Sequence, residues 1–142
     1  MSTYQTLSII VYRASPVDSY LLRHVALYLE YSSGKKVYQN VTGAHGFFAY
    51  DEDWNMSPRD SANYERAIQV MRIQTATEDD LTIRNRIRSI AINNRDRSWN
   101  CQSWVGDCLA GLEQDGILLP GSAKAAIDKM VDVLLEARDV DE

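Results

Sequence analysis

Trp99-Asn100-Cys101-Gln102-Ser103-Trp104-Val105 marks the point where the chain changes character. A polar approach, Asn93-Asn94-Arg95-Asp96-Arg97-Ser98, runs into a cysteine. After it, apolar residues recur at helical spacing at Trp104, Val105, Cys108, Leu109 and Leu112. That pattern predicts a helix with Cys101 in its first turn and an end near Asp115-Gly116, where glycine suits the C-terminal cap. The first backbone N–H groups of a helix lack intrahelical partners, and the dipole adds partial positive charge there. A thiol so placed is expected to lose its proton more readily, and the thiolate is the nucleophile.

Outward from this helix, the N-terminal side is strand-rich and the C-terminal side helical. Leu7–Arg13 reads as a strand, broken by Ser15-Pro16-Val17-Asp18-Ser19. Leu21–Tyr31 reads as a second strand, with His24, Ala26, Tyr28 and Glu30 on one face. Ser32-Ser33-Gly34-Lys35 signals a hairpin, returned by Val37–Val41, and His45–Tyr50 gives a short fourth strand. Residues 51–63 are polar, carry Pro58, and read as a long loop bordering a cleft. Ala67–Ile73 alternates as another strand. Thr77-Glu78-Asp79-Asp80 reads as the start of a helix whose apolar side carries Leu81, Ile83, Ile87 and Ile90. Ser122 can cap a last amphipathic helix over about 123–138, and the acidic tail 139–142 is expected to fray. Strands followed by helices predict an α+β fold, an antiparallel sheet of four to six strands against about three helices. The 142 residues suit a single domain, strand-rich over 1–75 and helical over 77–138.

Composition narrows the function. A formal net charge of −5 argues against a nucleic-acid surface. The arginines gathered at 84–97 read as a solvated helix face and loop. No apolar run reaches the ~20 residues of a membrane span, and Met1–Gln5 carries no signal-like pattern. Cys101 and Cys108, two helical turns apart, are roughly 10 Å from each other and too far to bridge. A reducing, cytoplasmic location is therefore expected. The two cysteines and two histidines lack metal-ligand spacing, so neither metal nor cofactor is implied.

Chemistry at Cys101 needs a base, and the chain has two histidines, His24 and His45. With the turn centred on Ser33-Gly34, position 24 falls opposite about 43, near Asn40, Thr42 and His45, any of which can orient the imidazole. Trp99 reads as a cleft-lining residue and Trp54 as a lid residue or a loop residue folded back on the core. Trp104 and Cys108 read as core.

The blocks Arg23-His24-Val25-Ala26-Leu27-Tyr28-Leu29 and Asn100-Cys101-Gln102-Ser103-Trp104-Val105 resemble the circularly permuted papain-like group. That group includes lecithin retinol acyltransferase-like proteins and permuted relatives of the NlpC-type peptidases. The C-terminal half also resembles an uncharacterised fungal domain family with a similar Cys/Trp-Val helix. The papain-like resemblance spans roughly residues 20–118. It implies a permuted papain-like fold, Cys101 as nucleophile, His24 as base and Asn40 as the third polar residue. Beside it, Trp99, Trp54, His45 and Asn100 are read from the chain as substrate-binding candidates. Two departures from the group's pattern stand out: His45 is a rival third member, and the acyltransferases' membrane anchor is missing. The implied activity is that of a cysteine hydrolase or acyltransferase, passing through a thioester, on a small-molecule or peptide acyl substrate. The competing readings are a non-catalytic binding or assembly protein on the same fold, and a cyclase or isomerase without covalent chemistry.

Overall fold

A computed structural model of the chain describes residues 3–138. Five strands precede three helices: β1 Thr3–Tyr12, β2 Val25–Tyr31, β3 Lys36–Thr42, β4 Ala49–Trp54 and β5 Tyr64–Thr75, then α1 Thr82–Arg88, α2 Cys101–Gln114 and α3 Ser122–Leu134. The strands form one antiparallel sheet in the order β4-β3-β2-β1-β5. The fold is α+β.

Alternation along the strands builds two cores. Leu7, Ile9 and Val11 of β1, with Val25, Leu27 and Leu29 of β2, meet Trp104, Val105, Cys108, Leu109 and Leu112 of α2. The intervening residues Ile10, Tyr12, Ala26, Tyr28 and Tyr38 form a smaller cluster on the other face, covered by Met56 and Tyr64. Ala26 and Tyr28 therefore face away from the helices, not toward them. Both faces are apolar, so alternation alone does not say which one the helices cover. In β5 the register slips between Leu7↔Met71 and Ser8↔Gln69, leaving Val70 as an extra residue. The bulge lets Ile68 and Ile73, of opposite parity, enter the same core.

Several boundaries differ from those predicted. β1 starts earlier, at Thr3, because its polar start still pairs with β5, and buried Gln5 donates from Nε2 to the Asp80 carbonyl at 2.7 Å. β2 starts later: residues 20–22 make a turn, with the Leu22 and Arg23 N–H groups both donating to the Ser19 carbonyl. The fourth strand runs through Asp51-Glu52-Asp53, which polar composition assigns to a loop. As an edge strand it tolerates, and is protected by, charge. α1 starts at Thr82, whose N–H is met by the Asp80 side chain at 2.8 Å, so Asp80 and not Thr77 closes the helix end. α3 ends at Leu134, and the tail 139–142 lies outside the described residues.

Residues 55–63 do not form a lid over Cys101. Tyr28 Oη donates to the Met56 carbonyl at 3.0 Å, Pro58 is buried, and the Arg13 N–H donates to the Asn63 carbonyl at 2.8 Å. The segment is docked on the face away from the helices.

Glu52 ties β4 to α1. It accepts from Arg84 Nε at 2.9 Å, from Tyr50 Oη at 2.6 Å and from Trp54 Nε1 at 2.9 Å. Burial opposes its charge, but these donors prevail and hold its pKa down at about 2 against an ordinary 4.5. A depressed folded value gives stability that is complete above pH 4.5 and lost as pH falls toward 2. Glu52→Gln is expected to flatten the acid limb of a stability–pH curve by about 1–2 kcal/mol, allowing for solvent screening. An unchanged limb would show that the ion pair adds nothing.

Candidate active site

The start of α2 is fixed by its own sequence. The Asn100 side chain accepts from the N–H groups of Gln102 at 2.9 Å and Ser103 at 3.3 Å, and Ser103 Oγ accepts from the Asn100 N–H at 3.2 Å. This reciprocal cap places Cys101 at the first helical position. Asn100 borders the cleft, with its amide oxygen committed to the helix.

Gln102 fastens the helix start to the segment that carries His24. Its Nε2 donates to the carbonyls of Tyr20 at 2.8 Å and Arg23 at 3.2 Å. Arg23 is buried, gripped by both Asp18 oxygens at 2.9 and 2.8 Å, and donates to the Val133 carbonyl at 3.0 Å. His24 thus sits one residue before β2, and its carbonyl accepts from the Tyr12 N–H at 2.9 Å. The Tyr12 ring lies over the imidazole, 5.8 Å between centroids and 29° between planes. His24 Nε2 is 3.1 Å from Asn40 Nδ2.

Cys101 and His24 line one cleft of about 460 Å3, together with Asn100, Thr42, His45 and Phe48. The backbone N–H groups of Val25, Gln102 and Cys101 itself favour the charged form of the sulfur. Burial pushes the thiol up, and those N–H groups offset this only in part. Burial also pushes His24 down. Both directions favour an uncharged thiol and an uncharged imidazole at rest. The thiolate expected from the helix start alone is overridden by desolvation. Iodoacetamide is accordingly expected to label Cys101 slowly at pH 6 and to accelerate only beyond the ordinary thiol range, about pH 8–9. Fast labelling at pH 6, followed by mass spectrometry, would restore the ion pair.

The other sequence-derived residues divide. Asn40 reaches His24. Thr42 and the exposed His45 line the cleft, and the His45 ring meets the Phe48 edge at 5.7 Å without engaging His24. Trp99 does not line the cleft: it is buried behind Phe48 at 5.8 Å and donates from Nε1 to Asp107 at 3.0 Å. Trp54 is far from it, packing on Tyr31 at 5.9 Å where β4 pairs with Val37, at the other end of the strand from the Ala49–Thr42 pair. Cys108 is fully buried in the main core.

Residues that the sequence did not single out complete the walls. Asn94 clamps the Phe48 backbone, accepting from its N–H at 2.8 Å and donating to its carbonyl at 3.1 Å. Gly43 has φ +118°, and a Cβ there would lie 2.6 Å from the Phe47 carbonyl oxygen, so this wall requires glycine. Only the asparagine-rich composition of 93–94 hinted at such a role. Among the described residues no group of three His, Cys, Asp or Glu side chains is arranged to hold a metal ion, and no helix is long and apolar enough to cross a membrane.

No curated protein and no solved structure matches the chain. Residues 9–119, which hold both cysteines, both histidines and Asn40, match the model of a family of unknown function, DUF6540, and the chain belongs to that family.

Proposed function

We propose that the protein is a cysteine-nucleophile acyl-transfer enzyme, a hydrolase or acyltransferase acting on an amide, ester or thioester. The reading keeps the chain among relatives of the permuted papain-like group. One observation supports it: a capped helix start sets Cys101 in a cleft that His24 also lines, and His24 Nε2 lies 3.1 Å from the amide nitrogen of the buried Asn40. The free thiols Cys101 and Cys108 accord with a reducing compartment such as the cytoplasm.

The tautomer decides the chemistry. With Asn40 Nδ2 donating to Nε2, the ring proton sits on Nδ1 and Asn40 Oδ1 is left without a partner among the described residues. With the amide turned over, Oδ1 accepts from Nε2–H and gains a partner, and Nδ1 becomes the free base. In that state the Sγ proton passes to Nδ1 as the Sγ–C bond forms. The carbonyl oxygen takes the electron pair and is met by the Cys101 N–H. Collapse expels the leaving group, which takes the proton from the imidazolium. Water or an amine then attacks the thioester, with Nδ1 accepting its proton, and Cys101 is restored as the thiol.

The cleft favours a neutral, apolar acyl group. Leu21, Leu22, Val41 and Phe48 line it, the Arg23 charge is held by Asp18, and no carboxylate lines it among the described residues. A 4-nitrophenyl ester series is expected to give one burst equivalent per protein molecule, with octanoate turned over faster than acetate. Turnover should fall below pH 6.5 as His24 gains its proton, because its folded pKa is lowered and neutrality persists to more acid pH. The absence of any burst across the series, at any pH from 5 to 9, would favour the binding-protein reading.

A further inference from the structure

The turn over residues 20–22 makes one wall of the Cys101 cleft. Leu21 and Leu22 line the cleft, yet each is more than half exposed. Leucines so exposed gain little from packing, so their own burial does not fix where the wall stands. The bonds inside the turn, from the Leu22 and Arg23 N–H groups to the Ser19 carbonyl at 3.1 Å each, shape it without tying it to α2. Arg23 pins its far end to Asp18 and to the Val133 carbonyl of α3. The tie to α2 is Gln102, whose Nε2 donates to the Tyr20 carbonyl at 2.8 Å and the Arg23 carbonyl at 3.2 Å. Among the described residues no other hydrogen bond joins residues 19–23 to α2.

Three features single out this amide. Gln102 directly follows Cys101, and its own backbone is fixed by the Asn100 side chain, which accepts its N–H at 2.9 Å. The Arg23 carbonyl belongs to the planar peptide unit that leads into His24. One side chain therefore joins the helix of the thiol to the peptide of the imidazole, across 79 residues of sequence. Both partners are carbonyls, which only accept, and the two N–H bonds of a carboxamide nitrogen satisfy both at once.

We propose that Gln102 is a positioning residue of the site: its amide holds the His24 peptide in line with Cys101 and holds the Leu21–Leu22 turn closed as the wall against which the acyl chain lies. The tie stands on these contacts alone, and its effect on turnover rests on the acyl-transfer reading above. Without the amide the turn swings outward, the thiol is uncovered, and the imidazole loses its alignment.

Gln102→Met tests this in the full chain, because methionine keeps the bulk and removes the donor. Iodoacetamide labelling at pH 9, followed by mass spectrometry, reads the wall without reference to turnover. Cys101 should label about tenfold faster than in the parent, while Cys108, fully buried in the core, should stay unlabelled. With 4-nitrophenyl acetate, kcat should fall about 10–100-fold at little change in KM, as expected for lost alignment. With the octanoate KM should rise as well, so the preference for the longer chain shrinks. Labelling of Cys108 together with Cys101 would show a general loosening of the fold and overturn the proposal, as would a methionine variant that labels and turns over like the parent. If Cys101 labels faster as expected but no ester turnover depends on it, the tie stands and the acyl-transfer reading falls. If turnover depends on Cys101 and Gln102→Met matches the parent in both measurements, the positioning role falls and the acyl-transfer reading stands.

Discussion

Cys101→Ser is expected to remove acyl-transfer turnover, by a factor of at least about 10²–10⁴, while the protein melts within a few degrees of the parent. The hydroxyl keeps the helix-start geometry set by Asn100 and Ser103, so the fold has little to lose. The chemistry has much to lose. A serine hydroxyl ionises far less readily than a thiol, and His24, already pushed down by burial, is too weak a base to compensate. Cys108→Ser is the control. Its sulfur is fully buried, 4.0 Å from the Ile87 carbonyl, so it should keep activity and cost about 1–3 kcal/mol through a hydroxyl placed in an apolar core. Ester hydrolysis and thermal melting of both variants check the pair. Undiminished turnover in Cys101→Ser would end the covalent reading.

The largest stability effect is expected at Trp104. It is fully buried, it packs on Tyr50 at 6.3 Å, and it sits one turn after Cys101 on the face of α2 that meets the sheet. Trp104→Ala should cost about 3–5 kcal/mol, because the helix is pinned at its C-terminal side and cannot collapse into the space. For a chain of this size that lowers the melting temperature by about 10–20 °C. Trp104→Phe should cost much less. The indole Nε1 is buried without a partner among the described residues, so removing it relieves an unmet donor while keeping a ring in place. A cost for phenylalanine equal to that for alanine would show that the indole is held by something more than packing.

The parts of the site legible in the sequence are those made by local rules. Asn100-Cys101 at a helix start follows from cap chemistry and apolar spacing, and the hairpin register sets His24 close to Asn40. Non-local parts are not legible. Ala26 and Tyr28 share a face, but the docking of 55–63 decides that this face is the one without helices. Leu21 and Leu22 read as strand, yet they are 51% and 58% exposed, because Arg23 is pulled inward by Asp18 and the turn must swing outward. Trp54 reads as a loop residue, either lid or folded back on the core, because its acidic surroundings hide an edge strand. The thiol's raised pKa depends on burial, a property of the assembled molecule that cap chemistry alone does not contain.

The sheet order also bears on when the thiol first becomes dangerous to its surroundings. β2, β3 and β4 are neighbours in sequence and in space, whereas β1 meets β5 across 72 residues, as at Thr3 and Thr75. Short-range pairings form earliest and distant ones last. During synthesis the imidazole and its asparagine partner can therefore be in place before α2 has left the ribosome. Cys101 joins them only when its helix docks, and docking is the same event that buries its sulfur. On the proposed acyl-transfer reading, a half-made chain therefore carries the base without the nucleophile.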